Sequence, residues 1–354
     1  MLNTLLFRVD ANASMGMGHL LRCLALAQAL VKKSEQEQTS LKIVFAVKAD
    51  TVSLCKQRKD WCGELFVLPE QLPQADEPAY LAAYCERQQV AALILDGYQF
   101  DTQYRQTLSY IAVKHIIFDD NNDSGPLFAD LVINGASNAQ QLAYAVSAPQ
   151  AVLCVGSAYR LLRQEFNYPH YKLEWYLRSK LTLVMGGSDP RNFSIKILRQ
   201  LEQQGFRAKI TLATGGAYAH VDELKQFLSQ SALHVEHLQN CQTMAELFGQ
   251  SLLVVSAAGG SQFELQAMNS PALLLVIADN QRNATLQAAK QAWCEAINCI
   301  TEDNIELICE RLTDLWSKHQ QLELMHDNCK SLPQHDGASK VADCILQLIS
   351  QRSK

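Results

Sequence analysis

No stretch of this 354-residue chain approaches the roughly 20 uncharged apolar residues that a membrane-spanning helix needs. The first residues carry no basic leader, and Arg8 and Asp10 break their apolar run before it could serve as a signal segment. A soluble, cytoplasmic protein is the expectation. Low-complexity tracts and short solenoid repeats are also missing, which excludes a repeat array. Charge is sparse, at 19 %, and slightly acidic: 31 Lys and Arg stand against 36 Asp and Glu, a net charge of −5. That balance argues against an overall electrostatic grip on nucleic acid or an anionic membrane. The eleven cysteines, an odd number scattered from Cys23 to Cys344, include no C-x-x-C pair, so reduced core thiols are expected rather than a disulfide framework or a zinc site.

What is there is a chain able to build a substantial core, with 48 % hydrophobic residues and length enough for two domains. Short runs rich in Val, Ile and Leu recur, each followed by a polar or glycine-containing loop and then a helix-like segment, the pattern of βαβ units on a parallel sheet. In the first half the expected strands are Leu5 to Val9, Leu41 to Val47, Ala92 to Leu95, His115 to Phe118, Leu131 to Ile133 and Val152 to Val155. The pattern restarts with Leu181 to Met185, Lys209 to Ala213, Leu252 to Val255 and Leu273 to Ile277. Two similar α/β domains follow, residues 1–158 and 181–354, with 159–180 as the connection and a helical tail at the end of the second, of the kind that in two-domain folds often packs back across the first.

The segment from Asp10 through Gly16 and Gly18 to His19 joins the first strand to the first long helix. Small residues there let the chain turn tightly and present amide groups at a helix N-terminus, where the dipole favours a phosphate or carboxylate. As a dinucleotide fingerprint it fails, because Leu21 stands where the third glycine belongs. His19 lies where open α/β sheets bind ligands, and an imidazole, which titrates near pH 6.5 in isolation, suits a general base. Packing beneath the loop is the plainer use of a histidine, and the location favours the base.

The second half offers matching loops. Gly186, Gly187 and Ser188 follow a buried strand, with Asp189 as expected N-cap and Pro190 in the first helical turn. Ala257, Ala258, Gly259, Gly260 and Ser261 follow another, and Glu264 stands one turn into the next helix, placed either for the vicinal hydroxyls of a ribose or simply for the dipole. Glycine-rich loops after strands in both halves suit a diphosphate whose two ends reach different domains, the shape of a nucleotide-sugar. Tyr98, after the strand ending at Asp96, is placed to line a cleft or to pack half-buried. Asp119, with its neighbours Asp120 to Asn122, either binds a polar ligand or forms a turn. Asn280 and Gln281 either contact a ligand or begin a helix. His234 and His237 look metal-like, but on a strand they point to opposite faces.

In order along the chain, the Met-Gly-Met-Gly-His19 loop, Asp96-Gly97-Tyr98, Phe118-Asp119-Asp120, the Tyr159 to Phe166 segment, Met185 to Asp189, Ser256 to Glu264 and Asn280-Gln281 resemble the PseG family of pseudaminic acid pathway hydrolases. The match runs from about Leu5 to about Leu286. The resemblance implies a GT-B fold, two Rossmann-like domains with a cleft between them, and hydrolysis of UDP-2,4-diacetamido-2,4,6-trideoxy-β-L-altropyranose with inversion and with no cofactor or metal. It implies that His19 activates the attacking water, that Tyr98 orders sugar and water, that the loops at Gly186-Gly187 and Ala257 to Ser261 hold the diphosphate, and that Glu264 holds the ribose. One departure stands out: a glycine usual after the Asn-Gln helix is absent from Lys290 to Glu295.

A MurG-like glycosyltransferase is the nearest rival, using the same fold and donor but an acceptor hydroxyl in place of water. Such enzymes often work at a membrane, and here the isoelectric point is about 6.0 with no basic amphipathic helix. A non-catalytic nucleotide-sugar-binding protein is a third reading, in which His19 is dispensable. The oligomeric state is not legible.

Overall fold

The computed structural model describes residues 3–12, 17–333 and 336–351. The chain forms two compact units: one contains Met1–Asn12, His19–Gln164 and His335–Lys354, the other principally Glu165–Gln334. Among the described residues the first sheet has seven strands, β1 (Asn3–Val9), β2 (Leu41–Val47), β3 (Glu64–Val67), β4 (Val90–Asp96), β5 (Lys114–Phe118), β6 (Leu131–Asn134) and β7 (Val152–Val155). They pair in parallel in the order β3-β2-β1-β4-β5-β6-β7. The second sheet has six, β8 (Lys180–Val184), β9 (Ile210–Thr214), β10 (Val235–Gln239), β11 (Ser251–Ala257), β12 (Ala272–Val276) and β13 (Cys294–Asn298), also parallel, in the order β10-β9-β8-β11-β12-β13.

Helices connect the strands: α1 (Gly18–Gln36), α2 (Ala49–Lys56), α3 (Glu77–Arg87), α4 (Thr102–Leu108) and α5 (Tyr144–Ser147) in the first unit. The second carries α6 (Phe193–Gln203), α7 (Val221–Gln230), α8 (Met244–Gly249), α9 (Ser261–Ala267), α10 (Arg282–Lys290), α11 (Ile305–Ser317) and α12 (His319–Ser331). Last comes α13 (Gly337–Ser350). In each sheet the chain steps outward from its first strand, then returns to pair on that strand's other side. β1 and β4 flank the reversal in the first unit, β8 and β11 in the second. Diverging connections at such a point leave a crevice beyond the carboxyl ends of the two strands, where ligands of open α/β sheets bind.

The central strands are buried on both faces because helices cover both: Leu5, Leu6 and Phe7 in β1 and Leu253, Val254 and Val255 in β11 are fully enclosed. Each such side chain contributes about 1.5 to 3 kcal/mol by leaving water. Arg8 is an exception inside β1. Its guanidinium is fully enclosed and pairs with Glu77 at 2.5 Å and Asp10 at 2.7 Å, while Tyr104 donates to Glu77 at 2.6 Å. Burial alone pushes the guanidinium down, but the two carboxylates outweigh it and hold Arg8 firmly charged.

The structure departs from the sequence expectation at several places. β3 and β13 are short edge strands with half-exposed residues, so neither shows the run of Val, Ile and Leu that marked their neighbours. The 159–180 connection contains short 3₁₀ turns, and the unit boundary falls inside it, at Gln164. The largest difference from the domain limits concerns α13. Those limits count the tail with the second domain by sequence contiguity, whereas α13 packs in the first unit against β7 and the turn at Ser157–Tyr159, as tails of such two-domain folds often do. Gly337 permits this: a Cβ there would stand 2.1 Å from the carbonyl oxygen of Arg160. Lys33 of α1 closes the contact with an ion pair to Asp343 at 2.6 Å.

Candidate active site

His19 occupies the first turn of α1, beside the carboxyl ends of β1 and β4. Its Nδ1 lies 2.6 Å from Asp96 Oδ1, at the last position of β4. Asp96 is 1 % exposed. Arg22, one helical turn after His19 and so on the same face of α1, grips the same carboxylate with both ends: Nε reaches Oδ2 and Nη2 reaches Oδ1, each at 2.6 Å. The thiol of Cys23 donates to Asp96 Oδ2 at 3.4 Å.

Burial alone pushes the Asp96 carboxyl up, but the charges of Arg22 and His19 and their hydrogen bonds pull it well below the usual carboxylate range. Burial and then Asp96 push the Cys23 thiol far up, so the sulfur stays protonated and is no nucleophile. An ionised carboxylate only accepts, so His19 donates through Nδ1–H. Arg22 Nη2, 3.0 Å from the same nitrogen, is a second donor converging on Asp96 rather than a partner of the imidazole. The lone pair of neutral His19 is therefore on Nε2.

The network continues to β5. Arg22 Nη1 donates to Asp120 Oδ1 at 2.7 Å and Nη2 to Oδ2 at 3.2 Å, and Tyr98 donates its hydroxyl to Oδ2 at 2.8 Å. Burial pushes Asp120 up and Arg22 brings it below its ordinary value. Burial opposes the charge on Arg22 too, and the two carboxylates overcome it. The guanidinium lies over the Phe118 ring at 5.0 Å, and the Tyr98 ring meets His19 edge-on, centroids 4.9 Å apart.

Of the residues singled out in the sequence, His19 and Tyr98 thus come together, while Asp10 and Asp119 are turned to structural work. Asp10 pairs with Arg8 and accepts from the Lys48 amide at 2.8 Å. Asp119 Oδ2 accepts from the Asn122 amide at 2.8 Å, closing a turn, and from Tyr144 at 2.6 Å. Burial leaves its carboxyl above the ordinary value. Gly18 opens α1, and a Cβ on it would meet nothing within 4 Å. Gly16 lies outside the described residues.

In the second unit, Gly186, at φ +77°, takes a backbone conformation that side chains other than glycine's adopt only with strain. The next loop presses against it: a Cβ on Gly215 would stand 2.4 Å from the Gly187 carbonyl oxygen. Gly187 and Ser188 are half-buried. The expected helix start is displaced. α6 begins at Phe193 rather than Pro190, its cap residue Asn192 is left-handed at φ 53°, and Asp189 caps from further back, accepting the Phe193 and Ser194 amides at 2.9 Å each. That carboxylate occupies the helix end, so an anion would have to use the loop before it.

Ala257 ends β11, and the Ala258 amide is spent on Leu275 O at 2.8 Å, whereas Gly259 is half-buried and Gly260 exposed. Ser261 and Glu264 lie half-buried in α9. Gln281 stands beside this loop: its Oε1 accepts from the Ile277 amide at 2.9 Å, just past β12, and its Nε2 lies 3.9 Å from where a Cβ on Gly259 would stand. Asn280 is exposed beside it. His237 bonds Thr214 at 2.8 Å, and among the described residues no group of three or more His, Cys, Asp or Glu gathers as metal ligands.

Residues 181–341 match the model of the glycosyltransferase family 28 C-terminal domain. Over its length the chain superposes on MurG of Acinetobacter baumannii with a TM-score of 0.66 at 15 % identity, covering 98 % of this chain and 99 % of that one. The fold is GT-B. The GT-B chain is also 21 % identical over 293 residues to the UDP-2,4-diacetamido-2,4,6-trideoxy-beta-L-altropyranose hydrolase of Campylobacter jejuni, covering 81 % of this chain and 97 % of that protein. An uncharacterized protein of Methanocaldococcus jannaschii is 25 % identical over 283 residues, 77 % of this chain, and the GT-B chain spans only about half of that relative's length, 55 %. Among the described residues no helix is long and apolar enough to cross a membrane.

Arg22 and Asp96 are not among the site residues expected from the sequence, and Asp120 is read there only with its neighbours, as binding a polar ligand or forming a turn. The signal is available: an arginine one turn after the histidine, on a helix face shared with the buried Cys23 and Leu26, and aspartates ending or following two adjacent strands.

Proposed function

We propose that this protein is a UDP-sugar hydrolase, releasing UDP and a 2,4-diacetamido-2,4,6-trideoxy-L-altropyranose by water attack at the anomeric carbon with inversion. The observation that carries the reading is the His19–Asp96 pair at 2.6 Å, which leaves His19 Nε2 as the acceptor of a proton. Water attacks C1, its proton passes to Nε2, the C1–O bond breaks, and the electron pair leaves with UDP. Asp96 stabilises the imidazolium that results. UDP is a good leaving group, so backbone donors that receive its growing charge replace a general acid. In this reading the loops at Gly186–Ser188 and Ala257–Ser261 hold the diphosphate and Glu264 the ribose. The resemblance to the Campylobacter hydrolase along nearly its whole length supports the substrate class.

The test is UDP release from the UDP-linked 2,4-diacetamido altrose sugar, with NMR of the product's anomeric configuration. The expected result is release with inversion, reduced about 10²- to 10⁴-fold in His19→Ala with UDP binding by calorimetry retained. Retention of configuration, or full activity in the variant, would remove His19 as the base.

A transferase reading is favoured by the family 28 match over residues 181–341. It requires UDP release to depend on an added acceptor hydroxyl, which the same assay reads directly.

A further inference from the structure

We propose that Arg22 is a positioning residue of the reaction, acting through Asp96: it fixes that carboxylate so that His19 gives its Nδ1 proton to one defined oxygen and keeps Nε2 for the attacking water. The inference rests on the hydrolase reading and deepens it by naming what holds the base in register. Asp96 needs holding, because it closes β4 at 1 % exposure, where no solvent orients an ionised carboxylate. One hydrogen bond from an imidazole at 2.6 Å would leave its second oxygen and its rotation free. Arg22 removes both freedoms with a planar fork, Nε to Oδ2 and Nη2 to Oδ1, each at 2.6 Å. Oδ1 is thus shared between the guanidinium and the imidazole, which fixes the side from which the ring approaches.

The fork is fixed in turn. Arg22 stands three residues after His19 on α1, so helix geometry sets the distance between the ring and the group that aligns its partner. Its outer edge is held by Asp120, Nη1 to Oδ1 at 2.7 Å and Nη2 to Oδ2 at 3.2 Å, and its face by the Phe118 ring at 5.0 Å. Charge accounts for the second carboxylate. A guanidinium nitrogen 3.0 Å from Nδ1 opposes the positive charge that the imidazole gains in the base step. With Asp120 present, two carboxylates stand against one guanidinium, so Asp96 is clamped without cancelling the negative charge on which that step draws. The first unit holds a second arginine between two carboxylates, Arg8 with Asp10 and Glu77, which serves packing and supplies an internal control.

The experiment compares water with azide as nucleophile on the UDP-linked 2,4-diacetamido altrose sugar, reading UDP release and, by NMR, free sugar against glycosyl azide. Water must lose a proton on attacking C1. Azide has none to lose: the anion bonds to C1, the C1–O bond breaks, and its electron pair leaves with UDP, without a base. Arg22→Lys keeps the charge and loses the fork; Arg22→Gln loses both. The expected result in water is a kcat reduced about 10- to 100-fold in Arg22→Lys and further in Arg22→Gln, with KM within a few-fold of wild type. Added azide restores UDP release in both variants and in His19→Ala, with glycosyl azide the main product, while wild type still makes mostly free sugar. Tyr104→Phe, which loses the 2.6 Å bond to Glu77 in the Arg8 network, controls for weakened folding and keeps the wild-type product ratio. A structural role for Arg22 slows both routes by one factor, and a ratio of products from one site does not depend on how much of the protein is folded. Arg22 variants with the wild-type product ratio, with full turnover in water, or with no UDP release in azide each overturn the proposal and leave the hydrolase reading standing. A wild-type protein that releases no UDP in water overturns the hydrolase reading and this inference with it.

Discussion

The two units place their chain reversals identically and furnish them oppositely. Where β1 and β4 end, the first unit gathers His19, Arg22, Asp96, Tyr98 and Asp120, a chain of bonds of 2.6 to 2.8 Å running from the imidazole through Asp96, Arg22 and Asp120 to the Tyr98 hydroxyl. Where β8 and β11 end, the second offers glycines, alanines, serines and the amide of Gln281, with the nearby Asp189 carboxylate consumed in capping α6. Topology makes the crevice; side chains decide its use. In the proposed reading one crevice moves a proton and the other holds a ligand by its backbone, the division that breaking the bond between a sugar and a diphosphate calls for.

The most forceful way to break that comparison is Asp96→Asn. An amide can accept from His19 or from Arg22 through its one oxygen, and it loses the charge that stabilises the imidazolium. Turnover should fall about 10²- to 10⁴-fold with UDP affinity nearly unchanged, and urea unfolding should show a loss on the order of 3 kcal/mol for breaking a buried ion pair. A variant that loses UDP binding and turnover equally would place the first unit in nucleotide binding. The complementary change is Gly215→Ala, whose methyl would collide with the Gly187 carbonyl at 2.4 Å. It should weaken UDP binding about tenfold or more in calorimetry while leaving the pH dependence of turnover alone, because the displaced loop is in the second unit. An unaltered UDP affinity would remove the Gly186–Ser188 loop from the binding site.

The smallest effect is on acid stability. Asp96 and Asp120 are held below their ordinary values, so the stability they lend is complete above the usual carboxylate range near pH 4 and drains away as pH falls through their lowered values. Asp119, held above its ordinary value, works the other way: its contribution is present at low pH and is lost as pH rises through its raised value. Asp120→Asn should therefore flatten the acid limb of a stability profile and Asp119→Asn steepen it, measured as urea midpoints between pH 3 and 6. The same slope in both variants would contradict the opposite environments of these neighbouring carboxylates.

Much of this was legible in the sequence because parallel strands buried on both faces must be continuous apolar runs, so β2 falls where it is expected, at Leu41–Val47; β7 also falls at its expected Val152–Val155, although as an edge strand it exposes its first two residues. The location of His19 was legible for a related reason: a loop after a first strand lies at the crevice whatever the loop contains. Arg22 was not, because helical periodicity assigns a charged residue to solvent, and only the tertiary arrival of Asp96 and Asp120 makes a guanidinium tolerable there. Asp119 and Asp120 are adjacent and chemically identical, and nothing local says which turns inward to Tyr144 and which outward to Tyr98. The PseG resemblance points to His19 and the glycine-rich loops as candidates, and although its motifs contain Asp96 and Asp120 it assigns neither of them a role.

The return of α13 to the first unit shapes how the protein comes into being on the ribosome. The surface of β7 and the Ser157–Tyr159 turn stays uncovered until Gly337 and its helix have been synthesised, after the whole stretch Glu165–Gln334. At roughly 5 to 20 residues per second that interval is on the order of 10 to 35 seconds. During it the nascent first unit exposes an unfinished edge, a window for chaperone engagement that lasts until α13 is made.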